Sequence, residues 1–309
     1  MITRTDVEAA RERIAGRVRR TPLLTMDAGF GGAGWFKLEH LQHTGTFKAR
    51  GAFNRILGAA EDGSLDPKVG VVVASGGNAG LANAFAAAAL GVSATVFVPE
   101  NAPAVKVEKL RTYGAQVVLR GTEYAMAYEA AIKHAEATGA VYCHAYDQPA
   151  IVAGAGTLGL EVLEDLQEVD TIVLAVGGGG LMAGVAAATE GRARVVGVEP
   201  LTIPTLHTAL AEGRPTDVDV SGIAVDSLGA RRIGDIAFDV ATRTGVQSVL
   251  VTDDDITRAR RILWDTYRIV VEHGAATAFA ALTSGAYVPA AAERFVVVLC
   301  GANTDPSTL

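Results

Sequence analysis

The sequence lacks several features that mark common classes of protein. Only two of its 309 residues are cysteines, Cys143 and Cys300, and no CxxC pair or Cys/His cluster accompanies them. A disulfide framework or a structural zinc site is therefore not expected, and the cytoplasm is the predicted location. No apolar run is long enough to span a bilayer, since the alanine-rich residues 81–90 are too few. Residues 1–20 are charged throughout, which predicts neither a secretory signal nor a membrane anchor.

The chain also lacks an excess of basic residues. Its 27 Lys and Arg against 34 Asp and Glu give a formal net charge of −7. Nucleic-acid-binding surfaces are basic, so a nucleic-acid partner is not expected. Half of the residues are hydrophobic and a fifth are charged, which is ordinary for a globular enzyme of one large or two medium domains.

What the sequence does contain, from residue 69 onward, is an alternation of short β-rich runs with helical stretches. The runs are continuously apolar, as expected of strands covered by helices on both faces of a parallel sheet. We predict strands at 69–74, 94–98, 116–119, 140–144, 171–176, 194–198, 248–251 and 295–299, and helices at 78–90, 103–114, 123–138, 156–166, 181–189, 254–268 and 275–284. Two such series predict an α/β protein with two domains, and the polar residues 213–219 are expected at the surface.

Glycine- or serine-rich turns follow three of the predicted strands, where ligands bind in α/β sheets. They are Ser75-Gly76-Gly77-Asn78-Ala79-Gly80, the four-residue run Gly177-Gly178-Gly179-Gly180, and Cys300-Gly301-Ala302-Asn303. A fourth segment, Thr44-Gly45-Thr46-Phe47-Lys48-Ala49-Arg50-Gly51-Ala52, precedes the first series. Taken alone, Lys48 would be read as a surface lysine; its combination with the three turns makes it a candidate site residue.

The four-glycine turn predicts a phosphate site. A backbone without Cβ atoms can approach an anion closely, and the helix starting near Leu181 directs its free N–H groups at it. A tight turn with glycines chosen for packing is the alternative.

A nucleotide site is the other alternative. Glu199 stands where a Rossmann acidic residue would bind a ribose, but Met182 breaks the glycine spacing counted from Gly177. Residues 154–159 match G-x-G-x-x-G literally but follow no clear strand, so we expect them to serve close backbone packing at a helix start.

These four segments together resemble the fold-type II pyridoxal-phosphate (PLP) enzymes, specifically the group of serine/threonine dehydratases and serine racemases. The resemblance runs from about residue 21 to residue 303, with the four motifs in the family's order. It implies two three-layer α/β domains with mostly parallel sheets, as in the tryptophan synthase β-subunit. Residues 1–52 and 144–309 would form the large PLP-binding domain and residues 53–143 the small one, with the active site between them. A homodimer is expected by the same analogy.

The resemblance also implies roles for individual residues. Lys48 would form the Schiff base with PLP, and Phe47 would pack beside the cofactor. Asn78 would bind the ring hydroxyl oxygen, and Cys300 would face the pyridine nitrogen. The phosphate would be held by the run Gly177, Gly178, Gly179 and Gly180 with the Leu181 N–H. The substrate carboxylate would be bound by Thr46, Ser75, Gly76, Gly77, Asn78 and Ala79.

The activity implied is dehydration of L-serine or L-threonine to a 2-oxo acid and ammonia. A thiol at Cys300 cannot stabilise a protonated ring nitrogen as a carboxylate would, which favours β-elimination. Racemases of the group carry a serine where Gly76 stands, so racemisation is disfavoured. Other PLP β-eliminases or β-replacement enzymes (hydroxyaspartate dehydratase, serine racemase, a cysteine synthase-like enzyme) remain alternatives. So do two other classes, a nicotinamide-dependent oxidoreductase and a non-catalytic ligand-binding protein.

Two positions depart from the family's pattern. His273 stands where relatives often have proline, and is expected to be a surface or helix-start residue, with a place in the substrate pocket as the alternative. Members of the group bind a cation near the position of Glu199, but Ile203 and Thr205 replace the acidic partners of a divalent ion. A monovalent cation at Glu199 remains possible. The preferred amino acid does not follow from the sequence.

Overall fold

The computed structural model describes residues 1–309, which form two mainly parallel sheets flanked by helices. The strands are β1 (Leu23–Thr25), β2 (Ala33–Lys37), β3 (Val71–Ala74), β4 (Ala94–Val98), β5 (Gln116–Leu119), β6 (Val141–Tyr142), β7 (Thr171–Ala175), β8 (Arg194–Pro200), β9 (Gln247–Val251) and β10 (Arg294–Val298). The helices are α1 (Arg4–Arg13), α2 (Lys48–Glu61), α3 (Asn78–Ala89), α4 (Ala104–Thr112), α5 (Tyr124–Thr138), α6 (Pro149–Asp165), α7 (Gly180–Thr189), α8 (Thr205–Glu212), α9 (Val225–Leu228), α10 (Asp235–Thr244), α11 (Asp253–Tyr267) and α12 (His273–Thr283).

The larger sheet has six strands in the order β1-β2-β10-β7-β8-β9. Only the β1–β2 pair is antiparallel. All five residues of β7 are buried: α12 packs against this strand, and α7 packs against the neighbouring strand β8. Continuous burial explains why β7 reads as an unbroken apolar run.

The smaller sheet has four parallel strands in the order β5-β4-β3-β6. Side chains of its central strand β3 point alternately into two hydrophobic clusters, one on each face of the sheet. Val71 and Val73 pack into a cluster with side chains of α3, whereas Val72 and Ala74 pack with Ala127 and other residues of α5. The sheet is therefore covered on both faces, which makes it a three-layer unit.

Most predicted elements are confirmed to within two residues at each end, and the fold class is α/β as predicted. Two predictions were wrong in detail. The strand predicted at 140–144 is shorter, Val141–Tyr142, and the residues after it have no regular structure up to the start of α6. The helix predicted at 156–166 begins at Pro149, and the glycine-rich residues 154–159 lie inside it rather than at its start. The sequence pattern also gave no prediction for β1, β2, α1, α2, α8, α9 or α10.

The glycines of α6 serve close packing, as expected. A Cβ on Gly156 would lie 2.4 Å from the carbonyl oxygen of Gly184 in α7, and a Cβ on Gly154 would lie 2.7 Å from that of Arg50 in α2. Three helix backbones therefore approach each other directly at α6. This contact fixes α2, the helix that begins at Lys48.

No helix combines the length and the apolar composition that a membrane-crossing segment requires.

Candidate active site

A cavity opens where the carboxyl ends of strands from both sheets meet. Its walls come from the starts of α2, α3 and α7, from α9, and from the segments that follow β6, β7 and β10. The lining residues are Phe47, Lys48, Asn78, Tyr146, Ala175, Gly177, Gly178, Gly179, Gly180, Leu181, Ser227, Leu228, Glu272 and Cys300. A site at the carboxyl ends of parallel strands is the expected place for a ligand in such folds.

Lys48 is the first residue of α2, and its amine lies in this cavity. The Nζ atom donates a hydrogen bond to the carbonyl oxygen of Ala145 at 2.8 Å and lies 5.1 Å from the centre of the Phe47 ring. Burial lowers the pKa of Lys48 to about 8, against the influence of Cys300 and Glu272, which raise it. Roughly a tenth of the amine is therefore neutral at pH 7, far more than for an ordinary lysine, and this is the form that reacts as a nucleophile or base.

The four-glycine turn joins β7 to α7. Gly179, at φ +83°, adopts the left-handed conformation that favours glycine, and α7 starts at the next residue. Added Cβ atoms would also clash with neighbours: one on Gly178 would lie 2.4 Å from the Tyr146 ring, and one on Gly180 would lie 2.6 Å from the Tyr146 carbonyl oxygen. Tyr146 therefore packs directly against the turn. The first N–H groups of α7 have no hydrogen-bond partner within the helix.

Glu272 and Asn78 meet at the opposite wall. The Asn78 Nδ2 atom donates to Glu272 Oε1 at 2.8 Å, and Asn303 Nδ2 donates to Asn78 Oδ1 at 2.7 Å. Burial raises the pKa of Glu272 to about 7, although the bonds from Asn78 and the Asn303 backbone and the charge of Lys48 lower it. Gly301 makes room for this carboxylate, because a Cβ there would lie 2.4 Å from Glu272 Oε1.

Cys300 follows β10 and is buried. Burial and the nearby Glu272 raise the pKa of its thiol, so the group is neutral at physiological pH. A neutral thiol can offer a weak hydrogen bond but no countercharge to a cation.

The structure brings most of the residues predicted to bind the cofactor into one cavity. The residues Phe47, Lys48, Asn78, Leu181, Cys300 and the four glycines from Gly177 to Gly180 all line it. The predicted carboxylate-binding residues other than Asn78 do not line it. Of these, Ser75 Oγ accepts a bond from the Gly77 N–H at 3.3 Å, Gly76 and Ala79 lie beside Asn78, and Thr46 adjoins Phe47. The Thr46 hydroxyl is buried without a hydrogen-bond partner.

Five lining residues were not among the predicted site residues: Tyr146, Ala175, Ser227, Leu228 and Glu272. Glu272 had a signal, since it belongs to the Glu272-His273 pair that aligns with a family motif. His273 itself begins α12, and its Nε2 lies 3.4 Å from an Arg260 guanidinium nitrogen, away from the cavity lining. Tyr146 lies in the loop after β6 and Ser227 in the four-residue helix α9, and neither segment has a regular pattern, so the sequence offered no signal for them.

Glu199 lies outside the cavity lining, near the end of β8, and its carboxylate reaches the start of α8. Its Oε1 accepts from Thr205 Oγ1 at 2.9 Å and the Leu206 N–H at 2.7 Å, and its Oε2 accepts from the His207 N–H at 2.9 Å. Burial raises its pKa to about 7 despite these bonds. No group of three or more His, Cys, Asp or Glu side chains is arranged to hold a metal ion.

The donor set fits pyridoxal phosphate. A buried amine is available for covalent attachment, the N-terminus of α7 with its glycine turn suits a phosphate, and the Asn78 amide suits the ring hydroxyl oxygen. A dinucleotide fits less well, because Glu199, the residue expected to bind its ribose, caps α8 instead.

Comparison with known proteins gives the same family. The profile of the family described as "Pyridoxal-phosphate dependent enzyme" matches residues 14–301. The chain is 36% identical to L-threonine ammonia-lyase of Thermotoga maritima, covering 99% of this chain and 76% of the relative. It is 35% identical to phenylserine dehydratase of Ralstonia pickettii, covering 98% of this chain and 93% of the relative.

Solved structures agree. Maize serine racemase superposes with a TM-score of 0.93 at 31% identity, covering 99% of this chain and 95% of that one. The processed form of threonine deaminase isoform 2 from Solanum lycopersicum gives a TM-score of 0.89 at 28% identity, covering 98% of this chain and 84% of that one. With this match over nearly the whole chain and a cavity that suits the cofactor, the protein belongs to the pyridoxal-phosphate-dependent enzymes of fold type II, in the serine/threonine dehydratase group.

Proposed function

We propose that the protein is a PLP-dependent L-serine/L-threonine dehydratase, an ammonia-lyase that forms a 2-oxo acid and ammonia by β-elimination. The observation that carries the proposal is a single cavity that holds the buried Lys48 amine, the four-glycine turn and a neutral thiol at Cys300. The threonine ammonia-lyase of Thermotoga maritima, 36% identical over 311 residues, supports this choice of reaction.

Lys48 has two roles in this proposal. It would hold the cofactor through its ε-amine, and after the amino acid takes its place it would remove the proton from Cα. When bound, PLP supplies an electron sink for the electron pair that this proton leaves behind. Burial lowers the pKa of Lys48 to about 8, which keeps enough neutral amine to act as the base.

Cys300 would direct the outcome toward elimination. A neutral thiol facing the ring nitrogen supplies no negative charge, so it does not stabilise a proton on that nitrogen. Cys300 would thereby favour loss of the β-hydroxyl, which would leave as water with the proton that Lys48 removed from Cα. The released enamine then hydrolyses to the 2-oxo acid and ammonia.

The substrate carboxylate would bind at the start of α3. The N–H groups of a helix's first turn lack intrahelical partners and attract anions, and Ser75, Gly76, Gly77, Asn78 and Ala79 form this end of α3. The buried, unpartnered hydroxyl of Thr46 supports its inclusion, because a buried donor without a partner is costly unless a ligand satisfies it.

Glu199 would hold a monovalent cation. Its carboxylate is fully buried and forms no ion pair with Lys, Arg or His. Thr205 Oγ1 lies within hydrogen-bond distance of both the Gly177 carbonyl oxygen, at 2.7 Å, and Glu199 Oε1, and its single hydrogen can serve one of them. The Gly177 carbonyl is therefore close to Glu199 and would give a cation a second oxygen ligand. The cation would thereby support the four-glycine turn.

The chain would divide into a large domain of residues 1–52 and 144–309 and a small domain of residues 53–143. The location of all four strands of the smaller sheet between Val71 and Tyr142 supports this division. We further propose a cytoplasmic homodimer, for which size-exclusion chromatography with light scattering is the direct test of assembly.

Keto-acid formation tests the proposed reaction. Purified protein loaded with PLP is incubated with L-threonine or L-serine, and 2-oxo acid and ammonia are measured together. The proposal expects equal amounts of the two products from at least one of these substrates, and none from Lys48→Ala. The proposal would be contradicted if the protein converted phenylserine or hydroxyaspartate but neither L-threonine nor L-serine. Formation of D-serine without 2-oxo acid would also contradict it.

A further inference from the structure

The carboxamide of Asn78 belongs to a chain of four side chains that crosses between the two sheets. Lys109 Nζ donates to Asn303 Oδ1 at 2.7 Å, Asn303 Nδ2 donates to Asn78 Oδ1 at 2.7 Å, and Asn78 Nδ2 donates to Glu272 Oε1 at 2.8 Å. Lys109 and Asn78 belong to helices of the four-stranded sheet, whereas Asn303 and Glu272 follow or precede elements of the six-stranded sheet. The bonds therefore cross the boundary three times.

The direction of these bonds is set at both ends. An ammonium group only donates, so Lys109 requires the oxygen of Asn303 to face it. A backbone carbonyl only accepts, and the Thr44 carbonyl oxygen accepts from Asn303 Nδ2 at 2.9 Å. Asn303 is thus held in one of its two amide orientations, and it presents an N–H to Asn78.

This orientation dictates that of Asn78. Its Oδ1 must face the Asn303 N–H, so its Nδ2 must face Glu272, an acceptor when ionised. One hydrogen of Nδ2 is used by Glu272 and the second remains for a ligand in the cavity. Reversal of the amide would turn an oxygen toward the carboxylate and remove the donor from the cavity.

We propose that Asn303 is a positioning residue that fixes the orientation of the Asn78 carboxamide toward the cofactor, and that Lys109 of α4 holds Asn303 in the orientation this requires. This inference rests on the proposed function, in which Asn78 binds the ring hydroxyl oxygen. Neither Asn303 nor Lys109 lines the cavity, so both act through Asn78.

Helix α4 supplies a matched control. Lys106, one turn before Lys109, also reaches the other sheet's elements, where its Nζ forms an ion pair with Asp226 Oδ1 at 2.8 Å. It takes no part in the chain of bonds to Asn78. Lys106→Met therefore removes a comparable charge and a comparable cross-boundary contact without affecting the amide.

The test compares the visible spectrum of the bound cofactor and its dissociation constant in four variants. Asn78→Ala is the reference, because loss of its amide should alter the cofactor's absorption bands and weaken PLP binding. Asn303→Asp replaces the N–H donor with a second oxygen, and should change the bands in the same direction and weaken PLP binding roughly tenfold. Lys109→Met should produce a smaller change of the same sign, since its side chain is exposed, and Lys106→Met should leave the spectrum unchanged.

The outcomes separate this inference from the proposed function. A wild-type spectrum in Asn303→Asp, with an altered one in Asn78→Ala, would overturn the positioning role and leave the role of Asn78 intact. A wild-type spectrum in Asn78→Ala would overturn both. If Asn303→Asp does not fold, Lys109→Met decides: a change like that of Asn78→Ala supports the inference, and a wild-type spectrum overturns it. A wild-type protein with no cofactor band would contradict the proposed function itself.

Discussion

Two buried lysines, Lys37 and Lys48, show how surroundings decide what a residue does. Lys37 Nζ lies 2.6 Å from Glu161 Oε2, so its charge is neutralised within the protein and it serves structure. Lys48 Nζ donates only to the Ala145 carbonyl oxygen, and burial lowers its pKa to about 8. An amine kept close to neutrality inside a cavity is suited to covalent chemistry.

Gly178→Ala tests the four-glycine turn. The new Cβ would lie 2.4 Å from the Tyr146 ring, so the turn and the ring must move apart and the phosphate-binding N–H groups with them. We expect PLP affinity to fall at least about tenfold, measured by fluorescence titration of the PLP-free protein. Gly58→Ala in α2 is the control, since its Cβ meets only Arg13 Nε at 3.9 Å. Equal PLP affinity of Gly178→Ala and wild type would refute this role of the turn.

Gly76→Ser tests why the protein would eliminate rather than racemise. A Cβ at position 76 would lie 3.4 Å from Val98 Cγ1, an ordinary contact, so a serine fits. Its hydroxyl would provide the proton-transferring group that glycine lacks. We expect D-serine to form from L-serine, measured by chiral chromatography, in this variant and not in Gly76→Ala. D-serine from wild type at the same rate would show that position 76 does not control the outcome.

At this scale the sequence could group candidate residues where their signal is local. Lys48 and the glycines belong to short motifs, and the strand before each turn shows which edge of the sheet it joins. Tyr146, in the loop after β6, and Ser227 and Leu228, in the short helix α9, line the same cavity. Their positions depend on packing between distant segments. Those contacts have no periodicity in sequence, so they could not be predicted.

At the scale of elements, α2 is fixed by a buried ion cluster at its start. The Arg50 guanidinium donates to Glu39 Oε1 at 2.8 Å and to Glu161 Oε1 at 2.7 Å, and Lys37 also binds Glu161. Arg50 lies two residues after Lys48, so the cluster holds the turn that carries the reactive amine. A buried cluster of this kind restricts geometry more than it adds stability.

Arg50→Met should be strongly destabilising. It leaves Glu39 without a cationic partner and Glu161 with only Lys37, and an uncompensated buried charge costs about 3–5 kcal/mol. Urea denaturation followed by circular dichroism measures the loss. Arg11→Gln is the control, because it removes an exposed ion pair with Glu164 that contributes at most about 1 kcal/mol. An equal decrease in the free energy of unfolding in the two variants would contradict this role of the Arg50 ion cluster.

Helix α6 shows the limits of element prediction. Its first residues, from Pro149, carry the start signal of a proline at the first helical position, but its glycines suggested a loop or a later start. Glycine is unfavourable inside helices, and here the close approach of α2 and α7 outweighs that local cost. Tertiary packing, invisible in the local pattern, decided the boundary.

For the whole molecule, two buried carboxylates make stability depend on pH. Burial raises the pKa values of Glu199 and Glu272 to about 7, from ordinary values of 4.5. Between these pH values the unfolded chain releases the protons that the folded protein retains. These two carboxylates therefore contribute a decrease in the free energy of unfolding of the PLP-free protein as pH rises from about 5 to 7. Burial lowers the pKa values of His40, His43, His144 and His273, and these histidines contribute an increase over the same range.

Glu272→Gln should remove the contribution of Glu272 to this decrease in the free energy of unfolding, roughly 3 kcal/mol at most. The measurement is urea denaturation of the PLP-free protein at several pH values in that range. The pKa values of Glu161, Asp255 and Glu293 are lowered in the folded protein, so these carboxylates make the free energy of unfolding increase with pH. They do so only below their ordinary pKa values, outside this range. An unchanged slope in the variant would mean that Glu272 is ionised at lower pH than burial implies.

The arrangement of the two sheets was partly predictable. Alternating strands and helices predicted parallel sheets, and the family resemblance predicted two of them with the site between. The strand order β1-β2-β10-β7-β8-β9 could not be read from the sequence, because it depends on pairing between residues far apart, such as Trp35 with Val296. That pairing is what brings Cys300 beside Lys48.

The most direct test of the central claim is the visible spectrum of the PLP-loaded protein during titration with L-threonine. The account predicts an absorption band that requires Lys48, that shifts as the amino acid is added, and that is accompanied by accumulation of 2-oxobutanoate and ammonia. Lys48→Ala should show neither the lysine-dependent band nor the products. Absence of any such band in wild type after PLP is supplied, or a band that persists unchanged in Lys48→Ala, would contradict the assignment of Lys48.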